Sequence, residues 1–147
     1  MPDTVRITNL LYRYAELMDG GDLDGAAALF RHARIRVRGS DAFLDWRHLR
    51  AIWASHVIIY PCGTPRTRHV VSNPIIELDD SGARASVRSC YTVYQAAPDF
   101  PLQIIAGGRY HDEMELVEGV WRFCFRDYSL LDLIGDLSAH LKMLPAG

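Results

Sequence analysis

Apolar side chains return at Ile7, Leu10, Leu11, Tyr14, Leu17 and Met18, the i, i+3, i+4, i+7 spacing of one helical stripe. The spacing predicts an amphipathic helix that opens near Asp3 or Thr4 and stops at Gly20-Gly21. Asp22 stands where an N-cap belongs, and Leu23, Ala26, Ala27 and Phe30 give a second, short helix its buried side. From Arg34 to Arg38 the period drops to two, with Ile35 and Val37 alternating with arginines that face water. A third helix begins at Asp45, sets Trp46, Leu49, Trp53, His56 and Tyr60 on one face, and ends before the loop Pro61-Cys62-Gly63-Thr64-Pro65.

Beyond residue 66 the two-residue period dominates. The stretches Arg68–Leu78, Ala83–Ala96, Gln103–Val117 and Val120–Leu133 read as strands joined by DDSG, PDFP and a short EG turn, which is an antiparallel meander. In the third strand Ile104, Ala106, Gly108, Tyr110, Met114 and Leu116 share a buried parity, while Arg109, His111, Glu113 and Glu115 face water. Pro74 and Gly107-Gly108 fall inside strands, where they mark bulges or bends that curl a sheet around a hollow. Helices followed by a long curled sheet make an α+β fold: a cone closed by three N-terminal helices, with a short helix in the tail. The tail itself offers Leu131, Ile134, Leu137, Leu141 and Leu144, enough to dock on a neighbour or to cover a pocket mouth.

The chain has 147 residues, 49% of them apolar and 10% aromatic, so the expectation is one domain over 1–147 with a substantial core. A formal charge of −2 gives no field that would recruit nucleic acid or an anionic membrane. The basic segment RHARIRVRG has few interleaved aromatics and reads as a solvated strand face. Three cysteines, Cys62, Cys90 and Cys124, form neither a disulfide framework nor a zinc pattern. No start resembling a signal peptide and no apolar run of about 18 residues occurs, so the expected location is the cytoplasm.

Six histidines include no HxH or HExxH, and neither GxGxxG nor GxxxxGKS is present, so the expectation is no metal and no cofactor. His56, Trp53 and Tyr60 read as cavity wall or core. Asp19 beside two glycines has a turn role open to it, and Tyr14 sits near the centre of an apolar stripe, where packing and catalysis both remain open. Arg126 shares parity with Cys124 and Tyr128, opposite Phe123 and Phe125, which suits an ion pair or a subunit contact. His111 falls on the wet parity, and Asp112 on the buried one. Cys62, beside Gly63, reads as a loop cysteine.

The order of elements, with RYAELMDGGDLDGAAALF, RHVVSNPIIE and GRYHDEMELVEGVWRF, resembles the SnoaL-like branch of the nuclear transport factor two-like superfamily over roughly residues 4–134. The superfamily includes scytalone dehydratase, ketosteroid isomerase, polyketide cyclases, a dehydrochlorinase, a bile acid dehydratase and members with no chemistry. The resemblance to its lyases implies a catalytic aspartate at Asp19, a catalytic histidine at His69 and a tyrosine at Tyr14. It also implies an arginine at or near Arg126, and Tyr94 where scytalone dehydratase has a second histidine. Trp53, His56, Tyr94, Tyr110 and Arg126 complete the expected substrate-binding set.

A histidine suits proton abstraction because its ordinary pKa near ~6.5 keeps both protonation states within reach. A carboxylate on the other ring nitrogen fixes the tautomer and stabilises the imidazolium, and a phenol can donate to a developing oxyanion. On a regular helix Tyr14 and Asp19 are about 140° apart, so the expectation is that the helix unwinds at Asp19.

The resemblance therefore implies a cofactor-independent, dehydratase-like lyase for a small hydrophobic, hydroxylated or halogenated ring compound. The alternatives are an isomerase or cyclase of a polycyclic ketone or polyketide using the same base, and a non-catalytic small-molecule-binding module. A homotrimer is expected, or else a homodimer, because an open curled sheet exposes one face that sister subunits cover in the family.

Overall fold

The computed structural model describes residues 1–142. Helix α1 (Asp3–Asp19) buries Ile7, Leu11, Tyr14, Ala15 and Met18. It stays helical through Asp19, with the Gly20 N–H returning to the Glu16 carbonyl, so the expected unwinding at Asp19 does not occur. The chain turns at Gly21, where φ is +81° and a Cβ would lie 2.0 Å from the Gly63 carbonyl oxygen. Only glycine meets both demands, left-handed backbone and close approach. The end of α1 is thereby pressed onto the loop that feeds the first long strand.

The carboxylate of Asp22 accepts the Gly25 N–H and opens α2 (Leu23–Ala28), after which Phe30 is fully buried. Strand β1 (Arg34–Arg36) buries Ile35 between two exposed arginines. Asp45 caps α3 (Trp46–His56) by accepting the N–H groups of Arg47 and His48. The helix ends at His56 and does not reach Tyr60. Val57 turns to extended backbone, as suits the β-branched run Val57-Ile58-Ile59, and bridges to Leu141.

Strands β2 (Thr67–Leu78), β3 (Arg84–Ala97), β4 (Phe100–Val117) and β5 (Val120–Asp127) form the antiparallel meander, with β1 added parallel to β5. The order β1-β5-β4-β3-β2 gives a curled sheet that does not close. The last predicted strand is two elements. β5 ends at Asp127, whose carboxylate accepts the N–H and hydroxyl of Ser129, and β6 (Leu131–Ile134) then pairs with β4 at Ala106–Gly108. That half of β4 extends past the reach of β5, so its free edge is available for β6. The expected short tail helix is absent among the described residues: a strand, a turn at 138–140 and the Leu141 bridge take its place. Leu144 lies outside the described residues.

Bulges set which residues face inward. In β2 the register shifts between Ser72 and Ile75, where Asn73 has φ +53° ahead of Pro74. In β4 the extra residue is Ile105, which is buried while Ile104 is 67% exposed, reversing the expected inward place of Ile104. In β5 the extra residue is Cys124, so Phe123 and Arg126 both face inward, where strict alternation had set them on opposite faces. Core residues of α1, α2 and α3 pack against this inner face of the sheet.

Candidate active site

Between the helices and the sheet lies a cavity of about 140 Å³. α1 contributes Tyr14 and Met18 to its wall, α3 contributes Trp53, and β2 contributes His69. Tyr91 and Tyr110 come from β3 and β4, Tyr128 from the position just after β5, and Leu137, His140 and Leu141 from the tail.

Asp19 does not line the cavity; it stands behind His69. Its Oδ1 lies 2.6 Å from Nδ1 of His69 and accepts the Thr67 hydroxyl at 2.9 Å, while Oδ2 accepts the His69 backbone N–H at 2.7 Å. The two side chains are 11% and 7% exposed. A carboxylate at a helix C-terminus faces the negative end of the macrodipole, and no basic residue occupies the last turn of α1. The three hydrogen bonds from β2 offset that repulsion. They also explain how Tyr14 and Asp19 serve one site from different faces of a regular helix: Tyr14 reaches the cavity directly, and Asp19 reaches it through His69. With Nδ1 bound to Asp19, Nε2 is the ring nitrogen left to a ligand.

The floor is a tyrosine cluster over a buried cation. Tyr14 packs edge-on to His69 and Tyr110, with centroids 6.3 and 5.8 Å away, and its hydroxyl hydrogen-bonds that of Tyr128. Tyr91 stacks on Tyr110 at 4.2 Å, lying over Gly108, where a Cβ would come within 2.7 Å of the Tyr91 hydroxyl. Burial pushes the phenols of Tyr14, Tyr110 and Tyr128 well above their ordinary range, so all three remain protonated donors.

Arg126 lies beneath, its guanidinium carbon 3.9 Å from the Tyr110 ring centroid and 4.5 Å from that of Tyr14. It is paired to Asp112 through two bonds, Nε to Oδ1 at 2.7 Å and Nη2 to Oδ2 at 2.9 Å, with both side chains fully buried. Burial pushes the Asp112 carboxyl up against the opposing pull of the guanidinium.

Tyr14, His69, Trp53 and Tyr110 thus meet at one cavity. Arg126 was expected to bind substrate, but it supports the cavity floor from below and is not part of the wall. His56 and Tyr94 do not reach the cavity. His56 is the last residue of α3, one position short of the Val57 that lines the wall, and its carbonyl accepts the Lys142 N–H. Tyr94 follows the inward Val93 in the strict alternation of β3, so it points outward into a surface groove with Arg66, Arg68 and Leu102. Cys62 is exposed on its loop, away from the cavity, and hydrogen bonds with Thr64 hold its thiol below the ordinary range.

Sequence reasoning missed Tyr91, Tyr128 and His140. The alternation through Ser89, Tyr91 and Val93 carried a signal for Tyr91. Tyr128 follows the Cys124 bulge, and His140 is brought in by a tail with no periodicity, so neither had one. Burial, with His69 nearby, pushes His140 down to about 4, with Asp19 pulling the other way. Its Nδ1 is buried without a hydrogen-bond partner among the described residues. No group of three or more His, Cys, Asp or Glu side chains among those residues is arranged to hold a metal ion. No helix among them is long and apolar enough to cross a membrane.

A curled sheet packed with helices around a half-open, aromatic-walled cavity with one supported histidine makes an NTF2-like, cystatin-like fold with an internal pocket. The chain matches the SnoaL-like domain over residues 1–127 and belongs to that family. No curated protein matches it in sequence. Among solved structures it is similar to Rv3472, a protein of unknown function from Mycobacterium tuberculosis, at 25% identity and TM-score 0.69, covering 92% of this chain and 74% of that one. A Novosphingobium aromaticivorans protein assigned as a scytalone dehydratase is 21% identical with TM-score 0.70, over 91% and 87% of the two chains. The β subunit assigned to an aromatic-ring-hydroxylating dioxygenase of the same organism is 20% identical with TM-score 0.67, over 95% of each chain.

Proposed function

We propose that the protein is a cofactor-independent lyase that removes water or halide from a small, hydrophobic ring compound bound in the cavity. His69 acts as the general base. Nε2 takes a proton from a substrate carbon, and the C–H electrons form the new double bond as the neighbouring C–O or C–halogen bond breaks. In dehydration the imidazolium returns its proton to the departing hydroxide, giving water and restoring neutral His69; in dehydrohalogenation the halide leaves as the anion and the imidazolium gives its proton to solvent. The Asp19 carboxylate holds the Nδ1–H tautomer and stabilises the transient imidazolium. The hydroxyls of Tyr14 and Tyr128 share a hydrogen bond, and the phenol of this pair whose O–H is left free donates to an oxygen of the substrate on which negative charge develops.

The observation that carries this reading is the 2.6 Å contact between Asp19 and His69 at the wall of an aromatic cavity. A binding module needs no carboxylate aligned on a histidine nitrogen. The similarity to a protein assigned as a scytalone dehydratase agrees with the reading at the level of fold.

The test is a screen of hydroxylated and halogenated ring compounds, followed by mass spectrometry and halide release. Loss of about 18 mass units with turnover reduced roughly 10²–10⁴-fold in His69→Ala is the expected result. A product of unchanged mass would instead identify an isomerase using the same base, and full turnover in His69→Ala would remove the dyad from the mechanism.

A further inference from the structure

Of the two histidines among the described residues of the cavity wall, His140 is the one that the proposed chemistry leaves idle. It arrives on the tail, whose backbone is fastened around it. The Ala139 carbonyl accepts from the Tyr60 hydroxyl at 2.5 Å and from Nε2 of Gln95 at 3.0 Å. The His140 carbonyl accepts the Ile58 N–H at 2.8 Å, and the Lys142 N–H reaches the His56 carbonyl at 2.8 Å. None of these four bonds uses the imidazole. The backbone is held in place independently of the ring, while Nδ1 stays buried without a partner among the described residues. Folded chains pair such atoms as a rule, and an apolar residue would seat the tail without the penalty, so a buried, orphaned nitrogen on an imidazole of the cavity wall calls for a partner, which a ligand supplies once the ring turns toward the cavity.

The cavity also limits what that partner can be. The charges around it are already taken: the guanidinium beneath it is paired with Asp112, and the Asp19 carboxylate behind His69 accepts from the Thr67 hydroxyl and from His69. A charged ligand would find no free counter-charge among the described residues that line the cavity. The volume, about 140 Å³, is close to the ~150 Å³ apolar cavity known to take up benzene.

We propose that His140 is a substrate-contacting residue that hydrogen-bonds the hydroxyl group of an uncharged ligand of about one ring, in the cavity it shares with His69. This rests on the reading of that cavity as the substrate site. The neutral imidazole acts only as a hydrogen-bond partner that fixes the hydroxyl; the proton transfers remain with His69.

The test compares phenol and toluene, nearly equal in shape and differing in one hydroxyl, by NMR shift titration of the full chain. The unmodified protein is expected to bind phenol roughly tenfold more tightly than toluene, the scale of one buried hydrogen bond. His140→Leu is expected to bring phenol down to the level of toluene, and His140→Asn, with its amide near the place of Nδ1, to restore part of the difference. Protection of the Ile58 and Lys142 amides reports whether the tail stays seated. 4-Hydroxybenzoate and 2-naphthol should each bind at least tenfold more weakly than phenol.

An unchanged phenol preference in both His140 variants overturns the role of His140. Absence of binding by either one-ring probe, or equal binding of the anion or the two-ring probe, overturns the ligand class. Loss of turnover in His69→Ala with the preference intact in His140→Leu would sink this inference alone. Loss of the preference in His140→Leu with turnover intact in His69→Ala would sink the general-base reading alone.

Discussion

Oδ1 of Asp19 meets Nδ1 of His69 at 2.6 Å across 50 residues of chain, and Oδ2 of the same carboxylate accepts the His69 backbone N–H at 2.7 Å. The second bond fixes where the carboxylate sits, so the first fixes which imidazole nitrogen carries the proton. Asp19→Asn keeps the shape but can no longer accept on both sides. Its amide competes for Nδ1, and the imidazolium loses its counter-charge. Turnover is expected to fall about 10²–10⁴-fold. Histidine ¹⁵N shifts, which need no substrate, should show His69 leaving the Nδ1–H tautomer; an unchanged tautomer would rule out the orienting role.

The Gly21 turn holds that geometry together. Alanine there meets a backbone φ of +81° and a carbonyl oxygen 2.0 Å from its Cβ. Gly21→Ala should cost more than the ~1 kcal/mol of an ordinary left-handed glycine replacement, because the loop at Gly63 must also move. Chemical denaturation measures the loss. The same variant should weaken the Asp19–His69 contact, so its His69 ¹⁵N shifts should move toward those of Asp19→Asn.

Removing one partner of the Asp112–Arg126 pair strands a charge with no solvent contact. Asp112→Leu and Arg126→Met are each expected to destabilise the fold by about 3–5 kcal/mol, while the two replacements together should cost much less than their sum. Denaturant melts of the three variants give the comparison. Additive losses would show that the two side chains do not act as a unit.

The tail should respond to acid. His140 titrates near 4 in the folded chain against its ordinary 6.5. Between these values the unseated tail binds a proton that the seated tail refuses. Seating is therefore strongest above pH 6.5 and weakens as pH falls toward 4, by about 3 kcal/mol in all. Hydrogen exchange at the Ile58 and Lys142 amides, corrected for the intrinsic effect of pH, should show protection falling across that window. His140→Asn should flatten the profile.

Much of this was legible in the chain. The helical stripe from Ile7 to Met18, the caps at Asp22 and Asp45, the turn glycines and the alternation of the long strands are local demands of backbone and solvent, met within a few residues of where they are written. The alternation of β3 even held the outward place of Tyr94, which the family resemblance had turned inward. Asp19 and His69 were singled out by resemblance, and nothing in their spacing brought them together.

What only the tertiary structure decided depends on register and on long-range contact. A single extra residue at Cys124 turns Arg126 from the outer face to the core, and another at Ile105 exposes Ile104, because a one-residue slip reverses every side chain beyond it. β6 forms because β4 has a free edge, a fact of the sheet and not of Leu131–Ile134. His140 enters the cavity because the carbonyls beside it find donors at Ile58, Tyr60 and Gln95. Local propensity sets the elements, and the pairing of distant backbone groups sets which side chains share the cavity.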